Sequence, residues 1–410
     1  MLFSQFSLSA TLLKALPASI TEPSRIQQLA IPAILNGQDV LALAQTGSGK
    51  TYAYGLPILQ RMSQQGISGL STLVVVPTRE LATQVMQNLT PLASALHLQV
   101  DVMCGGEVIE LQIERLSKPA NVIVATPGRL LALIQQGVIQ CSNVQSLILD
   151  EADRLLDMGF INDIKAIITA LPAGQRLLFS ATMPTALNEL AEQLLSTKSL
   201  RIEAQALNSA VDDIAQMIYH VNKGSKAQAL IQLITKNQWQ QVLVFVNAKD
   251  DADGLCKKLL KAGISCAALH GDKEQTLRSQ TLALFKNKQL NVLVATDVLA
   301  RGIHIDALPV VINMTLPPQA SVYVHRIGRT ARAGLSGVAV SLVSHAEMDY
   351  LDAIRILTAQ ALPLNELSGF AVTDKAVSDN SKRAPRDKQA NRRTANKRSI
   401  SDFSKRKSSR

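Results

Sequence analysis

Short apolar runs of strand length alternate with helically spaced apolar residues along most of the chain. The first half of the chain has such runs at residues 39–44, 72–77, 121–126, 144–150 and 176–182. The second half has them at residues 241–246, 265–269, 291–296, 310–313 and 337–343. Strands that alternate with helices are typical of parallel sheets covered by helices on both faces. The pattern therefore predicts an α/β fold with two sheet domains in tandem.

The two ends of the first half are less regular than its middle. Between Phe3 and Leu16, the residues Leu8, Leu12 and Leu13 have helical spacing, and Ser9 is a candidate N-cap. The apolar pattern weakens again between residues 203 and 213, where we place a linker between the domains. The predicted division is a first domain at 1–205, a linker at 206–213, a second domain at 214–368 and a tail at 369–410.

Composition narrows the class of protein. Hydrophobic residues make up 47% of the chain and aromatic residues only 3%, which is the balance of an α/β protein rich in aliphatic side chains. The sequence shows no signal peptide and no apolar run as long as a membrane span, so we expect a cytoplasmic protein that does not bind membranes. We also expect a monomer. The four cysteines lack the spacing of a zinc site or a disulfide framework.

The positive charge of the chain is concentrated at its C-terminal end. Residues 371–410 contain 13 Lys or Arg and 4 Asp or Glu, a net charge of +9, whereas the whole chain carries +10. Few apolar residues occur there, so the sequence predicts a disordered basic tail. It would serve either as a solubilising segment or as an electrostatic tether for nucleic acid.

A glycine-rich turn follows the first strand-like run. Ala44-Gln-Thr-Gly-Ser-Gly-Lys-Thr51 joins this run to a helical pattern, and a strand, a glycine-rich turn and a helix together form a phosphate-binding loop. Backbone N–H groups of the turn would approach the β-phosphate of a nucleotide. Lys50 would lie between the β- and γ-phosphates, and the Thr51 hydroxyl would bind Mg²⁺.

Two carboxylates follow a buried strand about a hundred residues later. Asp150-Glu-Ala-Asp153 comes directly after the apolar run Leu147-Ile-Leu149. An acidic tetrapeptide alone is usually a solvated loop. Together with the phosphate-binding loop it predicts a site for a magnesium-bound nucleotide.

Arginines recur every third residue in the segment from Tyr323 to Gly334. Arg326, Arg329 and Arg332 fall near one face of a helix, which by itself indicates a solvated basic surface. However, the second half has no Gly-Lys-Thr element, so its sheet would complete the first site rather than duplicate it. Arginine placed against developing γ-phosphate charge is the usual complement of such a site.

These motifs, in this order, resemble those of the DEAD-box RNA helicases of superfamily 2, and the resemblance runs from Phe3 to Val343. It implies two tandem RecA-like domains, each a parallel sheet flanked by helices, that bind ATP, Mg²⁺ and RNA. RNA would be held mostly through its backbone, without sequence preference. Ribosome-assembly or RNA-decay proteins are possible partners by the same resemblance.

The resemblance assigns a role to individual residues. Catalysis would depend on Lys50, Asp150, Glu151, Arg329 and Arg332, with Thr51 and Asp150 as metal ligands. Nucleotide binding would involve Phe3, Ile20, Arg25, Gln27, Ala44, Gln45, Thr46, Gly47, Ser48, Gly49, Lys50, Thr51 and Gly302. RNA contacts would come from Pro77, Thr78, Arg79, Gly105, Gly106, Thr126, Pro127, Gly128, Arg129, Gln275, Arg278 and Thr296. Coupling between ATP hydrolysis and RNA binding would use Asp153, Ser180, Thr182, Asp297, Arg301, His325 and Arg326.

Two positions depart from the family pattern. Ser19-Ile20 stands where most members have glycine and an aromatic residue, so stacking on adenine becomes an apolar contact. His304 stands where an aspartate usually holds the ribose, with Asp306 two residues later. We expect weaker ATP affinity or a substitute contact.

Two other functions fit the same motifs. The chain could be an ATP-gated RNA clamp or annealing chaperone that remodels ribonucleoprotein without net unwinding, which a strand-displacement assay beside an RNA-stimulated ATPase assay would distinguish. It could also be a DNA helicase of the same superfamily. The Gln27 region and the Asp-Glu-Ala-Asp spelling argue against DNA, and stimulation by RNA or DNA would decide between them.

Overall fold

A computed structural model describes residues 2–44, 47–116, 120–204, 214–297, 308–330 and 337–373. It contains two seven-stranded sheets, and every pair of neighbouring strands in them is parallel. Residues up to Val372 form one compact unit that includes both sheets. The predicted α/β class is confirmed.

The strands are numbered in chain order. Those of the first sheet are β1 Val40–Leu43, β2 Thr72–Val75, β3 Val100–Met103, β4 Val122–Ala125, β5 Ser146–Asp150, β6 Gln175–Ser180 and β7 Leu200–Glu203. Those of the second sheet are β8 Ile214–His220, β9 Val242–Val246, β10 Cys266–Leu269, β11 Val292–Thr296, β12 Val310–Asn313, β13 Gly337–Val343 and β14 Leu364–Glu366.

Helices connect the strands. In the first domain they are α1 Ala10–Lys14, α2 Arg25–Leu35, α3 Lys50–Gln65, α4 Arg79–Ala95, α5 Ile109–Arg115, α6 Pro127–Gln135, α7 Ala152–Asp157, α8 Ile161–Ala170 and α9 Thr185–Leu194. In the second domain the described helices are α10 Lys226–Lys236, α11 Lys249–Lys261, α12 Gln275–Lys286, α13 Ala320–Ile327 and α14 Met348–Thr358. Short 3₁₀ turns lie at Phe3–Gln5, Lys223–Ser225 and His345–Glu347.

The two sheets share one topology. The first has the strand order β3-β4-β2-β5-β6-β1-β7, and the second has the order β10-β11-β9-β12-β13-β8-β14, which is the first order with each number raised by seven. In parallel sheets of this kind, ligands bind beyond the carboxyl ends of the strands. Both domains therefore present the same kind of edge to a ligand.

The first sheet is buried on both faces, as its continuous apolar strands predict. Successive side chains of a strand point to opposite faces. Ile148 belongs to one hydrophobic core and its neighbours Leu147 and Leu149 to another, and Phe179 and Leu178 divide in the same way. Two helical layers thus cover the sheet and hold its carboxyl edge in place.

The N-terminal segment is less helical than its leucine spacing predicts. Helix α1 covers only Ala10–Lys14, and Phe3–Gln5 forms a separate 3₁₀ turn. Ser9 does cap α1, because its hydroxyl accepts a hydrogen bond from the Leu12 N–H at 3.3 Å. Leu8 and Leu16 pack on the first core but lie outside α1.

A buried ion pair stabilises the second domain. Lys226 donates to Glu347 at 2.5 Å and to the Met314 carbonyl at 3.0 Å, and Glu347 also accepts from the Leu316 N–H at 3.0 Å. Both charged side chains are almost fully buried. Removing one of them would leave the other charge uncompensated.

We therefore expect Lys226→Ala to lower the free energy of unfolding by about 3–5 kcal/mol. Chemical denaturation followed by fluorescence measures the loss. The control is Lys249→Ala, which removes an exposed ion pair with Asp272 and should leave the unfolding curve unchanged. Equal unfolding midpoints for the two variants would contradict the assignment.

Candidate active site

A cavity of ≈ 690 Å³ opens at the carboxyl edge of the first sheet. The phosphate-binding loop and the start of α3 form its floor, and Asp150 and Glu151 approach from the end of β5. The second domain contributes Arg329 and Lys286. One cavity therefore collects groups from both domains.

The conformation of the loop follows from its glycines. Gly47 and Gly49 have φ angles of +84° and +91°, in a region that side chains with a Cβ rarely adopt. A Cβ on Gly49 would also collide with the side-chain amide of Gln27. Lys50 begins α3, and its ammonium donates to the Ala44 carbonyl at 3.0 Å. The buried lysine is thus folded back over the loop.

Gln27 fastens α2 to this loop. Its side-chain oxygen accepts from the Ser24 N–H at 3.0 Å, and its amide nitrogen donates to the Gly49 carbonyl at 3.1 Å. The Ser24 hydroxyl donates to the Ser48 carbonyl at 2.7 Å. Gln27 and Ile20 both line the cavity, so the segment before α2 borders the place where the sequence predicts adenine.

Asp150 and Glu151, at the end of β5, differ in their backbone conformation and in their contacts. Glu151 has a φ of +51°, which is strained for a residue with a Cβ and is typical of functional positions. Its N–H donates to Asp150 at 2.9 Å, and its carboxylate accepts from Arg154 at 2.5 Å. Burial raises the pKa of Asp150 and Glu151 adds to this, against the attraction of Lys50. A cation at this position would relieve the cost of burying the carboxylate.

Asp153 joins the two domains through a buried cluster. Its carboxylate accepts from the Thr182 hydroxyl at 2.7 Å and from the Thr182 N–H at 2.9 Å, and the Ser180 hydroxyl accepts from the Asp153 N–H at 3.2 Å. His325 of α13 places its Nε2 atom 3.2 Å from the same carboxylate. The end of β6 and the second domain therefore meet at one carboxylate.

The pKa values of Asp153 and His325 in this cluster are both shifted from their ordinary values. Burial raises the pKa of Asp153, but His325 and then Arg154 outweigh burial and hold this pKa well below its ordinary value. Burial lowers the pKa of His325, and Arg154 lowers it further against the attraction of Asp153. Asp153 is therefore ionised in the folded protein.

Arg326 does not line the cavity and binds several groups within the second domain. Its guanidinium forms two bonds with Asp297, at 2.6 and 2.7 Å, and also donates to Asn247 and to the Thr315 carbonyl. The side chain is 1% exposed and lies over the Phe245 ring, with 5.1 Å to its centroid. Arg326 thus ties α13, which carries His325 and leads to Arg329, to the strand ends around it.

The predicted RNA-contacting residues of the first domain lie at neighbouring strand ends. Thr78 caps α4, and Thr126 precedes α6 while its hydroxyl accepts from the Gly105 N–H at 3.2 Å. Gly106 lies so close to Arg79 that a Cβ there would collide with the guanidinium. Pro77, Pro127, Gly128 and Arg129 flank these residues. They form one edge beyond β2, β3 and β4.

The second domain reaches this edge through Arg278. Its guanidinium forms an ion pair with Glu80 at the start of α4, and both side chains are largely buried. Burial lowers the pKa of Arg278 to about 10, and Arg79 contributes to the shift. Thr296 ends β11 and is buried. Gln275 begins α12, and its side chain is outside the described part of the structure.

Several predicted residues are not in the cavity or cannot be placed. Phe3 packs in the first core against Phe6, and Arg25 is exposed at the start of α2, so neither lines the cavity. The contacts predicted for Gln45, Thr46, Arg301, Gly302 and Arg332 fall outside the described residues, as do His304 and residues 374–410 of the predicted tail. The predicted roles of these residues stay predictions.

Other residues at the site have no counterpart among the predicted ones. Tyr52 and Lys286 line the cavity, Tyr54 donates to Asp150 at 3.0 Å, and Arg154 and Glu80 pair with residues of the motifs. Tyr54 and Arg154 follow motif residues by one helical turn, so helical spacing could have indicated them. The contacts of Lys286 and Glu80 depend on how the two domains meet, which no local pattern encodes.

The two parallel sheets share one topology, the first domain carries a phosphate-binding loop, and the second domain places Arg329 in the same cavity. Together these features define a nucleotide-binding protein of two RecA-like domains. Comparisons with known proteins identify the family. Residues 24–190 match the DEAD/DEAH box helicase model, and residues 225–334 match that of the helicase conserved C-terminal domain.

Two known RNA helicases are similar in sequence to most of this chain. It is 40% identical over 368 residues to the ATP-dependent RNA helicase CshA of Limosilactobacillus reuteri, covering 89% of this chain and 73% of CshA. It is 38% identical over 356 residues to the DEAD-box ATP-dependent RNA helicase RhpA of Helicobacter pylori, covering 86% of this chain and 71% of RhpA. The chain therefore belongs to the DEAD-box family of ATP-dependent RNA helicases, and it is an ATP-hydrolysing enzyme.

A solved structure resembles this chain over most of its length. The S. cerevisiae protein Dbp5, bound to RNA and ADP BeF3, superposes with a TM-score of 0.80 at 30% identity. The likeness covers 89% of this chain and 95% of the Dbp5 chain. Among the described residues, no helix has the length and apolarity needed to span a membrane.

Proposed function

We propose that this protein uses ATP hydrolysis to separate the strands of short RNA duplexes and to remodel ribonucleoprotein. The observation that carries the proposal is the presence of Arg329 in the same cavity as Lys50 and Glu151. Neither domain alone presents all three groups. A cavity completed by both domains makes ATP turnover depend on whatever holds the domains together.

The residues of the first domain would bind and activate the nucleotide. Lys50 would leave the Ala44 carbonyl to bind the phosphates, and Glu151, aligned by Arg154, would orient the attacking water. Thr51 and Asp150 offer hydroxyl and carboxylate oxygens, the donors that Mg²⁺ prefers, so we propose that they hold this ion. Bound there, Mg²⁺ would neutralise charge on the phosphate oxygens.

The residues of the second domain would sense the γ-phosphate. Arg329, together with Arg332, would stabilise the charge that develops when the γ-phosphate leaves. His325 contacts Asp153, which binds Thr182 at the end of β6. A change at the nucleotide would thereby reach the RNA-facing edge of both domains, which includes Arg278 and Glu80.

RNA would bind along the edge formed by Thr78, Arg79, Gly106 and Thr126, with Thr296 and Gln275 on the second domain. Helix N-termini and backbone N–H groups favour phosphate there. Contacts of this type carry little sequence information, so stimulation should depend weakly on RNA sequence. An RNA strand that is bent across both domains could not stay paired in a continuous duplex. Its partner strand would therefore separate.

Strand displacement tests this proposal. A short fluorescently labelled RNA duplex, incubated with the full chain and ATP, should release its strand, and release should require hydrolysable ATP for repeated turnover. RNA-stimulated ATPase activity without any displacement would instead support the ATP-gated clamp or annealing chaperone. Equal stimulation by single-stranded DNA would favour a DNA substrate.

We further propose that residues 371–410 tether RNA through their charge. Their removal should raise the RNA concentration needed for half-maximal ATPase activity and leave the rate at saturating RNA nearly unchanged. The affinity difference should shrink as salt rises, because charge-driven binding weakens with ionic strength. Unchanged RNA dependence at low salt would contradict the tether.

The remaining assignments belong to the same proposal. We propose that the domains divide near residues 205 and 214, that the protein is a monomer and that it acts in the cytoplasm. Proteins of ribosome assembly or RNA decay would be its partners. Crosslinking in cells, followed by sequencing of the recovered RNA, would identify the target.

A further inference from the structure

Tyr54 holds one of the two groups assigned above to the metal ion. It lies on α3 one turn after Thr51, and its side chain is 1% exposed. Its hydroxyl donates to Asp150 Oδ2 at 3.0 Å. The ring packs against Phe179 of β6, with 5.2 Å between the centroids.

This arrangement prepares Asp150 for a cation. Asp150 is fixed at both oxygens, because Oδ1 accepts from the Glu151 N–H at 2.9 Å and Oδ2 accepts from Tyr54. Each carboxylate oxygen retains a further lone pair.

We propose that Tyr54 is a positioning residue that orients Asp150 for Mg²⁺. The inference rests on the metal site proposed above. A phenylalanine would fill the same space against Phe179, so packing alone does not explain a buried hydroxyl at this position. Partners that orient metal ligands typically change metal affinity by 10- to 100-fold when they are removed.

The test measures nucleotide binding by the full chain as a function of Mg²⁺. A fluorescent ADP analogue reports nucleotide binding over a range of Mg²⁺ concentrations. The readout is the Mg²⁺ midpoint, the Mg²⁺ concentration at which the enhancement of nucleotide binding is half-maximal. Tyr54→Phe should raise it by about ten-fold. Binding in EDTA should be unchanged, because Tyr54 acts on a metal ligand and not on the nucleotide.

The matched control is Tyr323→Phe, which removes another buried hydroxyl, one that donates to Gln216 at 2.7 Å in the second domain. It should leave the Mg²⁺ midpoint at the wild-type value. Thermal melts of both variants without nucleotide show whether each is folded. A midpoint for Tyr54→Phe equal to that of the control would overturn the proposal.

Two more variants separate this inference from the metal site itself. Asp150→Ala should raise the Mg²⁺ midpoint, and Tyr54→Phe should add nothing in that background. If Asp150→Ala shifts the midpoint and Tyr54→Phe does not, only the role of Tyr54 is wrong. If Asp150→Ala causes no shift, the metal site is wrong and the role of Tyr54 with it.

Discussion

Replacing Arg329 by alanine is expected to lower the kcat of RNA-stimulated ATP hydrolysis by about 10³- to 10⁵-fold, the range measured for arginines that act on a transferring γ-phosphate. Arg329 is 2% exposed and is the arginine that the second domain places in the cavity, within the described residues. ADP affinity should change little, because ADP lacks the γ-phosphate that Arg329 would contact.

A malachite-green assay at saturating RNA measures the rate, and a fluorescent ADP measures the affinity. Arg201→Ala is a suitable control, since Arg201 is an exposed arginine of β7 that pairs only with Glu203 among the described contacts. It should keep the wild-type rate. An Arg329→Ala enzyme with a kcat within a few-fold of wild type would refute the assignment.

Replacing Glu151 by glutamine is expected to lower the same kcat by about 10²- to 10⁴-fold, the usual contribution of a positioned general base. The amide keeps the size of the side chain but cannot accept a proton. Because Lys50 and Asp150 are untouched, ATP should still bind, and the RNA complex formed with ATP should persist longer than that of wild type.

Single-turnover ATPase measurements with RNA give the rate, and fluorescence anisotropy of labelled RNA gives the lifetime of the complex. Glu192→Gln provides the matched change at an exposed carboxylate of α9, outside the cavity. RNA-stimulated turnover by Glu151→Gln at the control rate would show that another group activates the water.

The sequence predicted the central strands well and the outer strands poorly. The continuous apolar runs at β2, β5 and β9 were recognised because strands buried on both faces are apolar throughout. The missed strands β3, β7 and β14 are edges of their sheets, and β8 lies next to an edge. Their side chains are partly exposed, as in Leu200–Glu203, where only Ile202 is buried, so polar residues interrupt the pattern.

The site shows a similar division. Motif residues such as Lys50, Asp150 and Glu151 could be identified because their spacing and flanking elements are local. The left-handed backbone of Glu151 and the pairing of Arg278 with Glu80 could not, because both depend on packing between distant segments. The resemblance assigned Phe3 a nucleotide contact, and the structure places Phe3 in the first core against Phe6, outside the cavity lining.

The most direct test compares ATP turnover by the full chain and by residues 1–205 alone, each with and without single-stranded RNA. Since Arg329 belongs to the second domain, the fragment should bind a fluorescent nucleotide yet hydrolyse ATP no faster with RNA than without it. The full chain should be strongly stimulated. Hydrolysis by the fragment at the RNA-stimulated rate of the full chain would show that the first domain holds a complete active site.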